Sequence, residues 1–277
     1  MFTTLISTST LSDALDGQWA IVDCRFDLQR DAWGRDQYEA AHIPSAVYAH
    51  LSQDLSAPMT GLNGRHPWPS ASAMRATFSS MGIGSDTQVV VYDQDVGMFA
   101  SRLWWMLRTM GHEAVAVLDG GWARWVREGR PTRSGSESRS AAAFVARPRP
   151  EMIVDVQNVI AAREALLVDA RAPERFAGAS EPLDRVAGHI PGAVNRFYKQ
   201  NVGADGTFRD PAELRAEFER LFDGRPPERT IMYCGSGVTA CHNLLALEHA
   251  GLPGARLYPG SWSEWSADPS RPVETGS

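Results

Sequence analysis

The chain has 277 residues, of which 43% are hydrophobic and 22% are charged, and its formal net charge is -6 at pH 7. This composition predicts a folded globular protein with one large domain or two ordinary ones, and it excludes a disordered chain. Acidic and basic residues are interspersed without a basic stripe, so nucleic acid is not an expected partner. The N-terminal residues lack the pattern of a secretory signal, and no apolar run is long enough to span a membrane.

The three cysteines, Cys24, Cys234 and Cys241, form a sparse and odd set without a C-x-x-C pair. Such a set argues against a disulfide framework and favours a reducing compartment, so we expect a cytoplasmic protein. The cysteines and histidines also lack the spacing of metal ligands. The sequence therefore predicts no metal and no organic cofactor.

The chain contains one pattern of segments twice, in the same order and with nearly constant spacing between the copies. The pairs are AIVDCR (20–25) with LLVDAR (166–171), AAHIPSAV (40–47) with AGHIPGAV (187–194), VVVYDQD (89–95) with TIMYCGS (230–236), and LDGGWARW (118–125) with YPGSWSEW (258–265). We therefore predict two homologous domains, at residues 1–130 and 151–277. The intervening residues 131–150 are rich in Ser, Arg and Pro and are predicted to form a linker.

Within each half, short β-branched runs alternate with longer helical patterns. The runs are AIVD (20–23), QVVVYD (88–93) and AVAVLD (114–119), then LLVDA (166–170) and TIMYC (230–234). The helical patterns cover 71–82 and 100–111, then 211–224 and 238–251. This alternation of nearly all-apolar strands with helices predicts the α/β class, with a mainly parallel sheet and helices on both faces in each half.

Cys234 follows the predicted strand TIMY, where the carboxyl end of a parallel strand is a common place for ligands. Gly235, Ser236 and Gly237 lead from it into a predicted helix. Such a loop aims several backbone amides and the positive end of the helix dipole at one point, which favours a thiolate. Ser236 adds a hydroxyl group. The alternative is an ordinary strand-to-helix turn in which the thiol has no chemical role.

The first half carries Asp93 at the position of Cys234. Because the fold accepts an aspartate there, we interpret the thiol as a chemical feature of the second half. A cysteine phosphatase or arsenate reductase is a rival interpretation of such a loop. Those enzymes hold phosphate with an arginine six residues after the cysteine, and here that residue is Ala240. The missing guanidinium disfavours this alternative.

The tandem halves, HIPSA and HIPGA, the loop CGSGVTA and the segment YPGSWSEW together resemble the two-domain rhodanese-type sulfurtransferases, over essentially the whole chain. The resemblance implies a catalytically silent first domain and a second domain whose cysteine becomes a persulfide. Gly235 and Ser236 are similar to the loops of members that use 3-mercaptopyruvate, whereas thiosulfate sulfurtransferases typically carry Arg-Lys there. A doubly charged thiosulfate benefits from cations beside the thiol.

The resemblance also implies the remaining site residues. Backbone amides of the loop, at Gly235, Gly237, Val238 and Thr239, would stabilise the persulfide. Arg175 and Arg185 would clamp the carboxylate and keto oxygen of the donor, against the alternative of surface ion pairs.

The resemblance further implies that a histidine and an aspartate of the first domain assist Ser236. The histidine would be His66, and the nearest carboxylate is that of Asp54. Cys241 is interpreted as a helix-packing residue, and His42 and His189 as structural residues of their turns.

We therefore predict a sulfurtransferase that moves sulfur from 3-mercaptopyruvate, through a persulfide on Cys234, to a thiol or cyanide. Thioredoxin is a candidate acceptor, and neither nucleic acid nor a membrane is an expected partner. Two further alternatives stay open at this point: a thiosulfate:cyanide sulfurtransferase, and a carrier that holds a persulfide without turning over a small donor.

Overall fold

The computed structural model describes residues 1–15, 17–162 and 164–276, and the chain divides into two compact units. Unit 1 contains Met1–Ser56, Pro69–Arg149 and Val202–Phe208. Unit 2 contains Ala57–Trp68, Pro150–Asn201 and the described residues from Arg209 onwards. The sequence predicted a linker at residues 131–150. In the structure, residues 131–149 belong to unit 1. The short segment 57–68 belongs to unit 2 although it lies in the first half of the chain.

Unit 1 is built on five parallel strands in the order β1-β5-β4-β2-β3. They are β1 (Leu5–Ile6), β2 (Ala20–Asp23), β3 (Val47–Tyr48), β4 (Val89–Tyr92) and β5 (Val115–Leu118). The helices are α1 (Thr8–Asp13), α2 (Trp33–Ala40), α3 (Ala71–Ser80), α4 (Ala100–Thr109) and α5 (Gly121–Arg127). Every residue of β2, β4 and β5 is buried, as expected for a parallel sheet covered on both faces.

Unit 2 repeats this plan with four parallel strands in the order β7-β6-β8-β9. They are β6 (Leu166–Asp169), β7 (Val194–Asn195), β8 (Thr230–Tyr233) and β9 (Arg256–Leu257). The helices are α6 (Val156–Ala161), α7 (Pro173–Phe176), α8 (Pro211–Phe222), α9 (Thr239–His249) and α10 (Ser261–Trp265). Short 3-10 turns cover Pro150–Met152, Tyr198–Asn201 and Pro227–Arg229. The predicted α/β class and parallel sheets are confirmed.

Each unit contains the same buried ion pair just after its central strand. Arg25 Nη2 lies 2.6 Å from Asp23 Oδ2, and Arg171 Nη2 lies 2.7 Å from Asp169 Oδ2. Each guanidinium also donates to the backbone carbonyl just before the His-Ile-Pro segment of its own unit. Because both charges are paired and hydrogen-bonded, the pair is tolerated in the interior and fixes the chain that follows the strand.

The two His-Ile-Pro histidines are buried and fix turns in their own units. His42 Nδ1 lies 2.7 Å from the carbonyl oxygen of Tyr38, on which its ring also stacks. His189 Nδ1 lies 2.8 Å from the carbonyl oxygen of Phe176 and stacks on that ring in the same way. These contacts support the structural role expected for both residues.

Candidate active site

The backbone of Cys234 is held from both sides by the start of α10. The thiol-bearing residue directly follows β8 and is only 2% exposed. Its N–H donates to Ser261 Oγ at 3.1 Å, and its carbonyl accepts from the N–H of Trp262 at 3.0 Å. Ser261 has a φ of +56°, which is costly for a serine, and its hydroxyl donates in turn to the carbonyl of Tyr258. The position of residue 234 is therefore fixed by a network that includes a strained residue.

The loop after Cys234 contains unpaired backbone amides at the N-terminus of a helix. Gly237 has a φ of +71°, and a Cβ atom there would collide with the carbonyl of Pro259, so only glycine fits. Within the described part of the chain, the N–H groups of Gly235, Ser236 and Val238 make no hydrogen bond. Val238 is the last residue before α9, whose N-terminus adds the positive end of its dipole. The loop can thus stabilise a negative charge at residue 234.

The corresponding loop of unit 1 already surrounds a negative charge. The carboxylate of Asp93, directly after β4, accepts four backbone hydrogen bonds at 2.6 to 3.1 Å. The donors are Asp95, Gly97, Phe99 and Ala100. Burial raises the pKa of Asp93, and the four amides oppose this by stabilising the carboxylate. The loop architecture is therefore an anion cradle, filled in unit 1 by the chain's own carboxylate.

Ser236 and His66, both buried, are brought together in unit 2 by the folding of residues 57–68 onto this unit. His66 Nδ1 lies 2.8 Å from Ser236 Oγ, within ordinary hydrogen-bond distance. Asp54 belongs to unit 1, where its carboxylate accepts a hydrogen bond of 2.7 Å from the N–H of His50. The role of Asp54 behind His66 stays a prediction.

Arg175 lies beside the loop, at the end of the short helix α7. Its Nη2 and Nε atoms pair with Glu181 at 2.6 and 3.2 Å, and Nη2 is 3.3 Å from Asp184 Oδ2. A Cβ atom at Gly235 would lie 3.5 Å from both of its terminal nitrogens. Burial opposes ionisation of Glu181, but the ion pair with Arg175 outweighs it and the pKa of Glu181 is lowered.

Arg185 is exposed and makes no hydrogen bond or ion pair with the residues that the structure describes, so its place in the clamp stays a prediction. Instead, a second guanidinium at the loop comes from Arg65, which was not among the predicted site residues. Arg65 Nη2 would lie 2.7 Å from a Cβ atom at Gly235, and Nη1 pairs with Asp184. The sequence feature that could have identified Arg65 as a site residue is its position directly before His66.

The other two cysteines are buried and form no disulfide. Cys241, on α9, donates its thiol to the carbonyl of Gly237 at 3.3 Å, which suits a packing role. Burial, together with nearby carboxylates, raises the pKa of Cys24 well above its usual range, which disfavours the thiolate form.

Among the residues that the structure describes, no group of three or more His, Cys, Asp and Glu side chains could hold a metal ion. None of the described helices is both long and apolar enough to cross a membrane.

Comparison with known proteins gives concordant matches over nearly the whole chain. The family model described as "Rhodanese-like domain" matches residues 7–128 and again 153–268. A probable 3-mercaptopyruvate sulfurtransferase of Pseudomonas aeruginosa is 45% identical over 261 residues, covering 92% of both chains. A putative thiosulfate sulfurtransferase, SseB, of Mycobacterium tuberculosis is 39% identical over 264 residues, covering 93% of this chain and 91% of the relative. The solved structure of 3-mercaptopyruvate sulfurtransferase from Leishmania major superposes with a TM-score of 0.85 at 31% identity, covering 95% of this chain and 74% of that one.

Proposed function

Since the chain belongs to the rhodanese family and is a sulfurtransferase, we propose that it takes sulfur from 3-mercaptopyruvate through a persulfide on Cys234. The observation that carries this proposal is the loop after β8. Three of its amides make no hydrogen bond within the described residues, and in the matching loop of unit 1 four amides donate to the carboxylate of Asp93. A loop built to stabilise an anion at this position suits both a thiolate nucleophile and a persulfide anion.

In the first half-reaction, the thiolate of Cys234 attacks the sulfur of 3-mercaptopyruvate. A sulfur–sulfur bond forms and the carbon–sulfur bond breaks, leaving Cys234 as a persulfide. The electron pair of the broken bond passes to the departing carbon skeleton, which leaves as the enolate of pyruvate. One proton must then reach the enolate carbon to give pyruvate.

The contact between Ser236 and His66 supports them as the source of that proton. The hydroxyl of Ser236 donates to the enolate, and the imidazole of His66, 2.8 Å away, replaces the proton on the serine oxygen. Because both side chains are buried, bulk water does not compete freely for this hydrogen bond.

In the second half-reaction, a nucleophile attacks the outer sulfur of the persulfide and releases the thiolate of Cys234. Cyanide would leave as thiocyanate, and a thiol would leave as its own persulfide. Small thiols and the exposed dithiol of a thioredoxin are the acceptors that we propose. The three free cysteines favour a reducing, cytoplasmic location in which such thiols are abundant.

The assay that tests this function supplies 3-mercaptopyruvate with cyanide and measures pyruvate and thiocyanate. We expect many turnovers, and a higher kcat/KM than with thiosulfate and cyanide. A higher kcat/KM with thiosulfate would favour a second candidate function, that of a thiosulfate:cyanide sulfurtransferase. The 39% identity to the Mycobacterium relative named a putative thiosulfate sulfurtransferase supports this candidate. A single turnover with either donor would favour a persulfide carrier instead.

A further inference from the structure

Four residues in the core of unit 1 have counterparts in the core of unit 2, by their places in the duplicated segments and in the first helix of each unit. The pairs are Leu11 with Val159, Ile21 with Leu167, Ile43 with Ile190, and Trp125 with Trp265. The four residues of unit 1 are 0 to 1% exposed, whereas their counterparts are 2 to 8% exposed. Unit 1 therefore covers this part of its core more completely than unit 2 does.

The side chain that covers the core in unit 1 is the indole of Trp19. Trp19 and Leu15 pack against the buried cluster, and the ring of Phe2 meets that of Trp19 edge-on, with centroids 5.8 Å apart. Trp19 directly precedes β2, and the residue that directly precedes β6 is Ala165. Unit 2 thus has a methyl group at the position where unit 1 has an indole ring.

A cavity of about 640 Å³ lies beside this part of the unit 2 core. Ala165 lines it, together with Val159, Leu167, Ile190 and Trp265. Its volume falls within the range of roughly 300–1,000 Å³ that is usual for small-molecule sites, and mainly apolar walls are typical of them. Ala165 stands at the amino end of its strand and none of the lining residues belongs to the loop after β8, so this cavity is separate from the active site.

One basic side chain of the cavity wall has N–H groups to spare. Arg271 Nη1 donates to the carbonyls of Glu264 and Trp265, at 2.6 and 3.3 Å, and its Nε lies 3.5 Å from Asp268 Oδ2. Among the described residues, Arg271 Nη2 has no acceptor. Asp268, the one carboxylate among the described lining residues, already accepts two hydrogen bonds from Ser270. A guanidinium fixed in this way complements the charge of a ligand carboxylate.

We propose that this cavity binds a small aromatic carboxylate of about the size of an indole ring. The ring occupies the position that Trp19 fills in unit 1 and packs against Trp265, and the carboxylate pairs with Nη2 of Arg271. An apolar cavity of this kind holds water poorly and gains from a ring that fills it. The site goes beyond the proposed function, because none of its residues takes part in sulfur transfer.

The experiment titrates the full chain, labelled on its Ile, Leu and Val methyl groups, with indole-3-carboxylate and follows the methyl signals by NMR. We expect saturable shifts at Val159, Leu167 and Ile190, which line the cavity. The counterparts in unit 1 provide an internal control, because their cavity position is filled, and their signals should not move. Indole without the carboxylate should bind at the same place about tenfold more weakly, since it lacks the charged hydrogen bond.

Two substitutions separate the shape of the cavity from its charge. Ala165→Trp introduces the residue that unit 1 carries and should abolish binding of both probes. Its matched control is Glu164→Trp, which adds the same ring at the neighbouring residue, whose side chain is 83% exposed, and should leave binding unchanged. Arg271→Ala should weaken binding of indole-3-carboxylate about tenfold and leave that of indole unchanged.

The proposal would be overturned by the absence of shifts at the three cavity methyls with millimolar indole-3-carboxylate. Equal loss of binding in Ala165→Trp and Glu164→Trp would also contradict it, as would unchanged affinity for indole-3-carboxylate in Arg271→Ala. The methyl spectrum without ligand checks the fold of each variant, and Ala165→Leu, which adds fewer atoms, replaces Ala165→Trp if that variant does not fold. Since no sulfur transfer is measured, failure of the proposed function would leave this result unchanged.

Discussion

His66 Nδ1 lies 2.8 Å from Ser236 Oγ, although the two residues are 170 positions apart in the chain. Arg65 and His66 are consecutive, and they approach Gly235 and Ser236, which are also consecutive. A short segment of the first half of the chain therefore supplies two side chains to the loop of unit 2. One is suited to binding an anion and the other to moving a proton.

Removing the serine–histidine contact should slow transfer from 3-mercaptopyruvate selectively. Ser236→Ala and His66→Ala should each lower kcat with this donor by about a hundredfold, because the departing enolate needs a proton. Thiosulfate provides an internal control, since sulfite leaves without being protonated. Kinetics with both donors measure the effect. Equal losses with both donors would contradict the proton relay, as would additive losses in the double variant.

Replacing Arg175 should weaken donor binding. Arg175→Ala removes a guanidinium beside the loop and should raise KM for 3-mercaptopyruvate about tenfold or more. The same substitution removes one guanidinium partner from Glu181 and one from Asp184, which keep Arg171 and Arg65 respectively, so thermal unfolding should be recorded alongside the kinetics. An unchanged KM in a folded variant would remove Arg175 from the site.

Placing a basic pair in the loop should move donor preference towards thiosulfate. The double substitution Gly235→Arg with Ser236→Lys adds two positive charges beside the thiol. A side chain at 235 must also displace Arg65 Nη2, which is the flexible end of its side chain and can move. Gly235→Ala separates this displacement from the charge. If the ratio of kcat/KM values for the two donors does not change, loop charge does not set donor choice.

Asp93 should be important for stability and dispensable for chemistry. Asp93→Ala leaves four amides of the unit 1 loop without their acceptor, three of them in buried hydrogen bonds, and should lower the free energy of unfolding by about 2 to 3 kcal/mol. Asp93→Asn keeps one acceptor oxygen and should cost less. Urea denaturation followed by tryptophan fluorescence measures both variants. Equal midpoints for wild type and Asp93→Ala would contradict the anion-cradle interpretation of this loop.

Local sequence pattern was sufficient for much of the fold. The duplicated segments and the β-branched runs predicted parallel strands at 20–23, 166–170 and 230–234. The strands β2, β6 and β8 lie within these segments. The helical pattern at 211–224 corresponds to α8, and that at 238–251 corresponds to α9. Such elements can be predicted locally, because their periodicity and the residues that mark their ends lie within about a dozen residues.

The arrangement of charged side chains around the loop after β8 could not be predicted from local sequence pattern. Arg65 meets Asp184 only because residues 57–68 fold onto unit 2, and no periodic pattern reports such a long-range contact. Nor could the sequence show that the side chain of Asp93 fills its own loop. The pairing of His66 with Ser236 was anticipated from family resemblance, whereas the pairing of Arg65 with Asp184 was visible only in three dimensions.

The central claim is that sulfur from 3-mercaptopyruvate becomes covalently attached to Cys234. Intact-mass spectrometry of enzyme treated with this donor, before and after cyanide, tests it most directly, with Cys234→Ser and Cys241→Ser compared in parallel. The account predicts that wild type and Cys241→Ser each gain the mass of one sulfur atom and lose it to cyanide as thiocyanate, while Cys234→Ser gains nothing. A cyanide-labile sulfur atom on Cys234→Ser, or none on wild type, would contradict it.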